Sequence, residues 1–345
     1  MSLKRYIARR AAYTLVLVFI IIVFNFVLFQ ILPFTTSCPG LSYNECVVSL
    51  YVPPPPTGRT GTNVTLQYNH EKQLLFNQYG FNRPMQERFL LYVEDMLTWQ
   101  FGYNIGAALS GPVQTTIVQR LPYTLLLIGL STIASFVVGI GMGVVSAARR
   151  GRVVDVASLA STLFFYSLPT FWLGGLLIVI QILLGGGGYQ SVGLSTAGLS
   201  GLDATVATLV SMWLPFLTLT LVSIGAVFLT MRATMIDVMA EDYVIMARAK
   251  GIQERAVLFR HALRNAIIPI ATLFALDLGF ILAGAVVTET VFDWPGLGRA
   301  IFTGITSNDF PLEQAIFYII SLMVLLANFA VDVLYGYLDP RIKAG

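Results

Sequence analysis

Six long apolar stretches fix what this chain can fold into. They run roughly Ala11–Leu32, Leu121–Ala147, Val153–Leu184, Thr205–Met231, Ala266–Val291 and Glu313–Leu338. A helix that crosses a bilayer needs about 20 predominantly apolar residues, and each stretch meets that length. Charge is scarce to match: Asp, Glu, Lys and Arg make up 11% of the sequence, where a soluble domain carries about 25%. The net charge of +3 is too small to argue for nucleic acid. The expectation is an all-α integral membrane protein with six transmembrane helices, placed in the cell membrane as a multi-pass protein and embedded in lipid.

Basic residues set the orientation. With the N-terminus inside, the inner face holds Lys4, Arg5, Arg9 and Arg10, then Arg149, Arg150 and Arg152. It also holds Arg232, Arg248, Lys250, Arg255, Arg260 and Arg264, and finally Arg341 and Lys343. That is 15 of the 21 Lys and Arg residues, which puts both termini in the cytoplasm. The first apolar run is longer than the 7–15 residues of a signal-peptide core and has no A-x-A site after it, so it reads as a retained anchor. Three regions follow: 1–35 (tail and first span), 36–120 (a long extracytoplasmic loop) and 121–345 (five spans).

The extracytoplasmic loop holds the only two cysteines, Cys38 and Cys46. An even count on the oxidising face suggests a disulfide, with two free thiols as the alternative. Pro53 to Pro56 form a stiff spacer, and Asn63-Val64-Thr65 fits the glycosylation pattern. From His70 to Trp99 the loop turns amphipathic, which predicts short helices lying over the membrane surface.

No chemistry is legible in the chain itself. No GxxxxGK[ST] is present, and the run Gly185–Gly188 lacks the following lysine and reads as a flexible loop. The two histidines, His70 and His261, fall on opposite faces of the membrane. Neither a histidine-pair metal site nor a Ser-His-Asp set can therefore form, and catalysis within the chain is not expected.

Between the fourth and fifth spans lies a charged island, Asp237 to Pro269. It reads as two short helices. Asp237 can cap the first, whose opening turn carries Glu241 and Asp242. Its last turn carries Arg248 and Lys250, and Gly251 follows as the stop. The second runs about Gln253 to Asn265. Tyr243, Ala247 and the small Ala240 and Ala249 would let another protein approach closely. On pattern alone, a basic loop that only anchors topology explains the island equally well.

Four motifs decide between these readings. Ala247-Arg248-Ala249-Lys250-Gly251, with Arg260-His261-Ala262-Leu263-Arg264-Asn265-Ala266 and Pro269, resembles the coupling loop of binding-protein-dependent ABC importer permeases. The likeness is strongest to their dipeptide/oligopeptide/nickel branch. Ser167-Leu168-Pro169-Thr170-Phe171-Trp172-Leu173-Gly174 resembles the third span of that branch. Glu289-Thr290-Val291-Phe292-Asp293-Trp294-Pro295-Gly296-Leu297-Gly298-Arg299 resembles its outer turn after the fifth span. Asn328 to Tyr335 with Tyr337 to Arg341 resembles its last span and tail. The resemblance covers about residues 1–35 and 70–345. The broader family begins this loop with Glu-Ala-Ala, where this chain has Ile245, Met246 and Ala247, and the later Leu-Pro is Leu263-Arg264 here.

The resemblance implies a cytoplasmic coupling helix within 237–264 that docks on an ATPase, with Tyr243, Met246, Ala247, Arg248, Ala249, Lys250 and Gly251 at its centre. It also implies the partners: a homologous second permease, two cytoplasmic ATPases that bind ATP and magnesium, and an extracytoplasmic substrate-binding protein. This chain would supply half of the translocation pathway and no cofactor of its own. The branch handles peptides, nickel complexes and oligosaccharides. The lack of a His or Cys cluster disfavours free nickel and leaves di/oligopeptides first and oligosaccharides second. A self-sufficient secondary transporter would require inverted repeats, and no internal repeat is visible.

Charges inside spans are costly and are functional candidates by default. Asp277 in the fifth span and Glu289 at its outer end are candidates for the pathway, whereas Asp332 with Asn328 reads as polar pairing between helices. Pro169, Pro215 and Pro269 interrupt apolar helices and allow kinks. Gly139, Gly141 and Gly143 permit close helix packing.

Overall fold

The computed structural model describes residues 3–31, 83–104, 111–185, 189–191, 198–307 and 309–338, with isolated residues between 66 and 77 and at 196. Cys38, Cys46, Pro53–Pro56, Asn63 and the tail beyond 338 lie outside the described residues. Among the described residues all regular structure is helical. In chain order the helices are α1 (Leu3–Phe26, continued by a π-helical turn, Val27–Ile31), α2 (Met85–Thr98), α3 (Val113–Ala148), α4 (Val153–Ser167), α5 (Thr170–Leu183) and α6 (Gly201–Met239). There follow α7 (Asp242–Ala249), α8 (Leu263–Val291), α9 (Leu297–Ser307) and α10 (Phe310–Leu338). Among the described residues five helical segments are long and apolar enough to cross a membrane, and six if α4 and α5 are one broken span.

One compact unit comprises residues 1–121 and 300–329. Within it, α2 turns Arg88, Tyr92 and Met96 inward at a four-residue spacing, as an amphipathic surface helix must. A buried polar seam fastens it to its neighbours. The Arg88 Nη2 donates to Gln30 Oε1 at 2.9 Å, Gln30 Nε2 to Gln314 Oε1 at 3.1 Å, and Asn25 Nδ2 to the Gln314 carbonyl at 3.0 Å.

The second unit comprises residues 122–299 and 330–338. Its central column is α6, which packs on α8, α4 and α5. Helix α3 also reaches it, because a Cβ at Gly139 would stand 2.8 Å from that of Val227, and one at Gly143 would stand 2.7 Å from that of Met231. Close backbone approach of this kind is how spanning helices associate without a hydrophobic driving force. Gly141 takes no part, since a Cβ there would meet nothing within 4 Å. The core joins Phe136, Val144 and Ala147 of α3 to Val227, Met231 and Met235 of α6 and to Ala262, Ala266 and Ile270 at the start of α8.

The expected third span is not one helix. It bends by 104° between α4 and α5. Pro169 forces Leu168 into extended backbone, φ −82° and ψ 134°, as the residue before a proline prefers. The expected kinks at Pro215 and Pro269 leave α6 and α8 continuous. For Pro215 the reason is visible. Proline removes the N–H that would bond the carbonyl four residues back, Ser211. The Tyr189 hydroxyl takes that place, donating to the Ser211 carbonyl at 3.0 Å. The Tyr189 ring stands edge-on to Phe292 at 5.3 Å, and burial, aided by Asp293, pushes its hydroxyl pKa up, so it stays a donor.

This assignment predicts non-additivity. Tyr189→Phe should destabilise the detergent-solubilised protein by about 1 kcal/mol, the typical net worth of one lost hydrogen bond. In a Pro215→Ala background, where the backbone N–H is restored, the same change should cost markedly less. Thermal midpoints of the four variants close the cycle, and equal costs in both backgrounds would refute the pairing.

Candidate functional site

Helix α7 is the exposed element between α6 and α8. Its start differs from expectation. Helix α6 continues through Asp237 to Met239, because Met235 is fully buried and Val238 packs on the seat of α7. Asp237 therefore caps nothing, and Glu241 occupies the cap position without a side-chain hydrogen bond. The stop is as read. Gly251 takes φ +78°, the Gly251 N–H donates to the Arg248 carbonyl at 2.9 Å, and the Ile252 N–H donates to the Ala247 carbonyl at 3.3 Å. This is a Schellman closure, completed by apolar contact of Ile252 with the same cluster that holds Ala247.

The eight residues of α7 divide cleanly. Val244 and Ala247 face inward against Val257, Val238 and Ile252. Ile245 and Met246 point out, 51% and 57% exposed, next to Tyr243. Ala247, expected at the partner surface, is instead a seat residue. Its three-residue offset from Val244 puts both on the face that packs on the chain's own bundle.

Two polar clamps fasten the ends of the helix. Asn265 Nδ2 donates to the Tyr243 hydroxyl at 2.7 Å. Arg248 grips Glu254 through both Nη2, at 2.7 Å, and Nε, at 3.1 Å. That hydrogen-bonded carboxylate raises the Arg248 pKa. Ala249, Lys250, Arg255, Arg260 and Arg264 remain exposed around the helix. The second expected helix, Gln253 to Asn265, is not separate. It passes through Glu254–Ala256 and a π-helical stretch, Val257–Ala262, directly into α8, since no Gly or Pro breaks the backbone there. Helix α7 thus hangs from the first turns of a spanning helix.

At the opposite end of α8 the turn before α9 forms around Glu289. This residue was expected as a pathway candidate, and the structure corrects that reading. It is 0% exposed, accepts from Thr124 Oγ1 at 2.8 Å and from the Arg299 N–H at 3.0 Å, and abuts Gly296, where any Cβ would overlap its carboxylate. A residue lining half of an open pathway would be exposed in the isolated subunit. Trp294, fully buried, donates from Nε1 to the Tyr123 carbonyl at 3.0 Å, and Arg299 pairs with Asp293. Asp277 lies in helix α8, with its side chain outside the described set. Asp332 and Asn328 both lie on α10, half-buried.

One cluster was missed in the sequence. Asp155, 2% exposed, receives Arg232 through Nε at 2.7 Å and Nη2 at 2.8 Å, Ser146 Oγ at 2.5 Å and the Gly151 N–H at 2.9 Å. A lone acid just inside a span, beside Arg149, Arg150 and Arg152 and with Arg232 directly after the fourth apolar stretch, was the available signal. Among the described residues no group of three or more His, Cys, Asp or Glu gathers as a metal set.

Comparison with known proteins agrees with this architecture. The family model described as binding-protein-dependent transport system inner membrane component matches residues 139–344, more than half of the chain. The chain is 32% identical over 291 residues to the dipeptide transport system permease protein DppB of Escherichia coli, covering 78% of this chain and 84% of that one. It is 32% identical over 274 residues to the oligopeptide transport system permease protein AppB of Bacillus subtilis, covering 79% and 85%. It is 35% identical over 272 residues to the glutathione transport system permease protein GsiC of Escherichia coli, covering 79% and 84%. The chain therefore belongs to the family of binding-protein-dependent transport system inner membrane components and is a multi-pass permease of the cell membrane.

Proposed function

We propose that this chain is one half of the translocation pathway of an ATP-driven importer of di- and oligopeptides. It works with a second, related permease, two cytoplasmic ATPases and an extracytoplasmic peptide-binding protein. The observation that carries the reading is the division of α7: an apolar outward tip, Ile245 and Met246, on a helix whose other face is packed and clamped to the membrane bundle. Such an element receives a partner and transmits its displacement. The peptide assignment rests on the relatives, which are dipeptide, oligopeptide and glutathione permeases. Oligosaccharide uptake gains no support from them.

The mechanism follows from the attachments of α7. When the two ATPases close on each other, a helix seated in each is carried along. The seat of Val244 and Ala247 on Val238 and Val257 passes that displacement to the end of α6 and the start of α8. Rearrangement of packed helices then exchanges outward for inward access. The ATP and magnesium chemistry belongs to the ATPases.

Outward and inward substitutions on α7 should separate. Met246→Arg should abolish co-purification of the ATPases and lower dipeptide uptake roughly tenfold or more, as loss of a central interface anchor does. Thermal stability should stay within about 0.5 kcal/mol of the parent. Ala247→Glu should instead destabilise the permease itself by about 3 kcal/mol or more, through an unpaired buried charge. Full ATPase association by the Met246→Arg protein would sink the docking assignment. For Asp277, which we assign to the pathway wall, Asp277→Asn should change the ranking of labelled cationic, neutral and anionic dipeptides in uptake, and an unaltered ranking would remove it from the wall.

A further inference from the structure

The Asp155 cluster lies off the seat of α7 yet joins three elements at one end of the bundle. Arg232 belongs to α6, seven residues before its final Met239. Asp155 belongs to the first turn of α4, and Ser146 to the last turn of α3. Arg232 Nε also donates to Ser146 Oγ at 3.2 Å. The Gly151 N–H can point at Asp155 because Gly151 takes φ +77°. A bidentate carboxylate–guanidinium pair, its Asp155 side chain 3% and its Arg232 side chain 21% exposed, is rigid in direction as well as distance. Apolar packing alone would hold α4 against α6 more cheaply, so the cost of burying this pair calls for a directional role.

The placement supplies that role. Within the packing of α4 on α6 two contacts are especially close. One is Asp155–Arg232, and the other is Gly225, where a Cβ would lie 2.5 Å from that of Tyr166. Just beyond Tyr166 the chain bends by 104° into α5, and α5 is held near the outer turn by the approach of Gly174 to Phe292. Displacement of the end of α6, which carries the α7 seat through Val238, therefore has a stiff route into α4 and onto the bend.

We propose that Asp155 and Arg232 are a positioning pair that makes α4 travel with the inner end of α6, so that movement of α7 reaches the Leu168–Pro169 bend. The proposal rests on the reading of α7 as the ATPase-docking helix. Loss of the pair leaves docking intact but lets α4 lag behind.

The test uses the whole importer, this chain with its second permease and ATPases, reconstituted in liposomes. Spin labels are carried on non-natural residues at the exposed positions Val156 and Asp237. In the parent, the 156–237 separation should be the same without nucleotide and after trapping with Mg-ATP and vanadate. In Arg232→Met the separation should shift and broaden on trapping. The ATPases should still co-purify and hydrolyse ATP, while labelled dipeptide uptake per ATP falls on the order of tenfold, within the range by which coupling residues act. Arg232→Lys, which keeps the charge but not the fork, should fall between. It also serves if Arg232→Met does not assemble. A residue that is merely structural would lower the yield of assembled complex without making the separation depend on nucleotide. A nucleotide-independent separation in both Arg232 variants, with parental uptake per ATP, overturns the positioning role alone. Absence of ATPase association in the parent overturns the docking reading and this proposal with it.

Discussion

In hydrocarbon an unpartnered polar group is costly, and the main polar joints of this permease's second unit follow from that cost. At Pro215, Asp155 and Glu289 a group that lacks a local partner receives one from another element. Pro215 strips the Ser211 carbonyl of its donor, and Tyr189 supplies one from the α5–α6 connection. Asp155 brings a carboxylate into the bundle, and α3, α6 and the intervening turn all converge on it. Glu289 does the same for the turn between α8 and α9, drawing Thr124 and the Arg299 N–H together. The polar groups that lipid makes costly thus become the fixed joints between helices, and apolar contact fills the space between them.

The same rule explains why two prolines in similar apolar surroundings have opposite effects. At Pro215 an outside hydroxyl satisfies the freed carbonyl and the helix runs on. At Pro169 the freed Phe165 carbonyl is taken locally, by the Leu168 N–H at 3.2 Å, and a new helix starts with the Leu173 N–H bonding to the Pro169 carbonyl at 3.0 Å. Because the satisfaction is local, the freed carbonyl does not tie the bend to another element. The chain bends there, and the bend is flanked by close glycine contacts, Gly225 with Tyr166 on one side and Gly174 with Phe292 on the other.

Much of this was legible in residues. The spans could be read from apolar length, and α7 from its acidic start, basic end and terminal Gly251. The Gly139 and Gly143 face on α3 could be read as a packing surface. What was not legible depends on partners distant in sequence. Ala247 looked available to another protein because spacing does not say which face of a short helix is already covered. Glu289 looked like a pathway residue because a span-end acid with no neighbour in sequence gives no hint of Thr124, 165 residues away. Asp155 was invisible for the same reason, its guanidinium lying 77 positions on. Proline's effect on a span could not be read from the proline, since the outcome at Pro215 rests on Tyr189.

Helix α7 has eight residues, below the roughly 12–15 at which an isolated helix becomes even marginal in water. Its order must therefore come from outside itself. The Schellman closure at Gly251, the Val244–Ala247 seat and the clamps to Asn265 and Glu254 supply it, and all but the closure belong to α6, α8 or the segment leading into α8. A partner that grips Ile245 and Met246 therefore cannot displace α7 without either breaking those attachments or moving the spanning helices that provide them. The attachments include a buried apolar cluster and two side-chain clamps, so under the docking proposed for α7 the spanning helices would be carried with it. A helix too short to stand alone is for that reason suited to passing on force, because the interactions that fold it are the ones that connect it to the membrane.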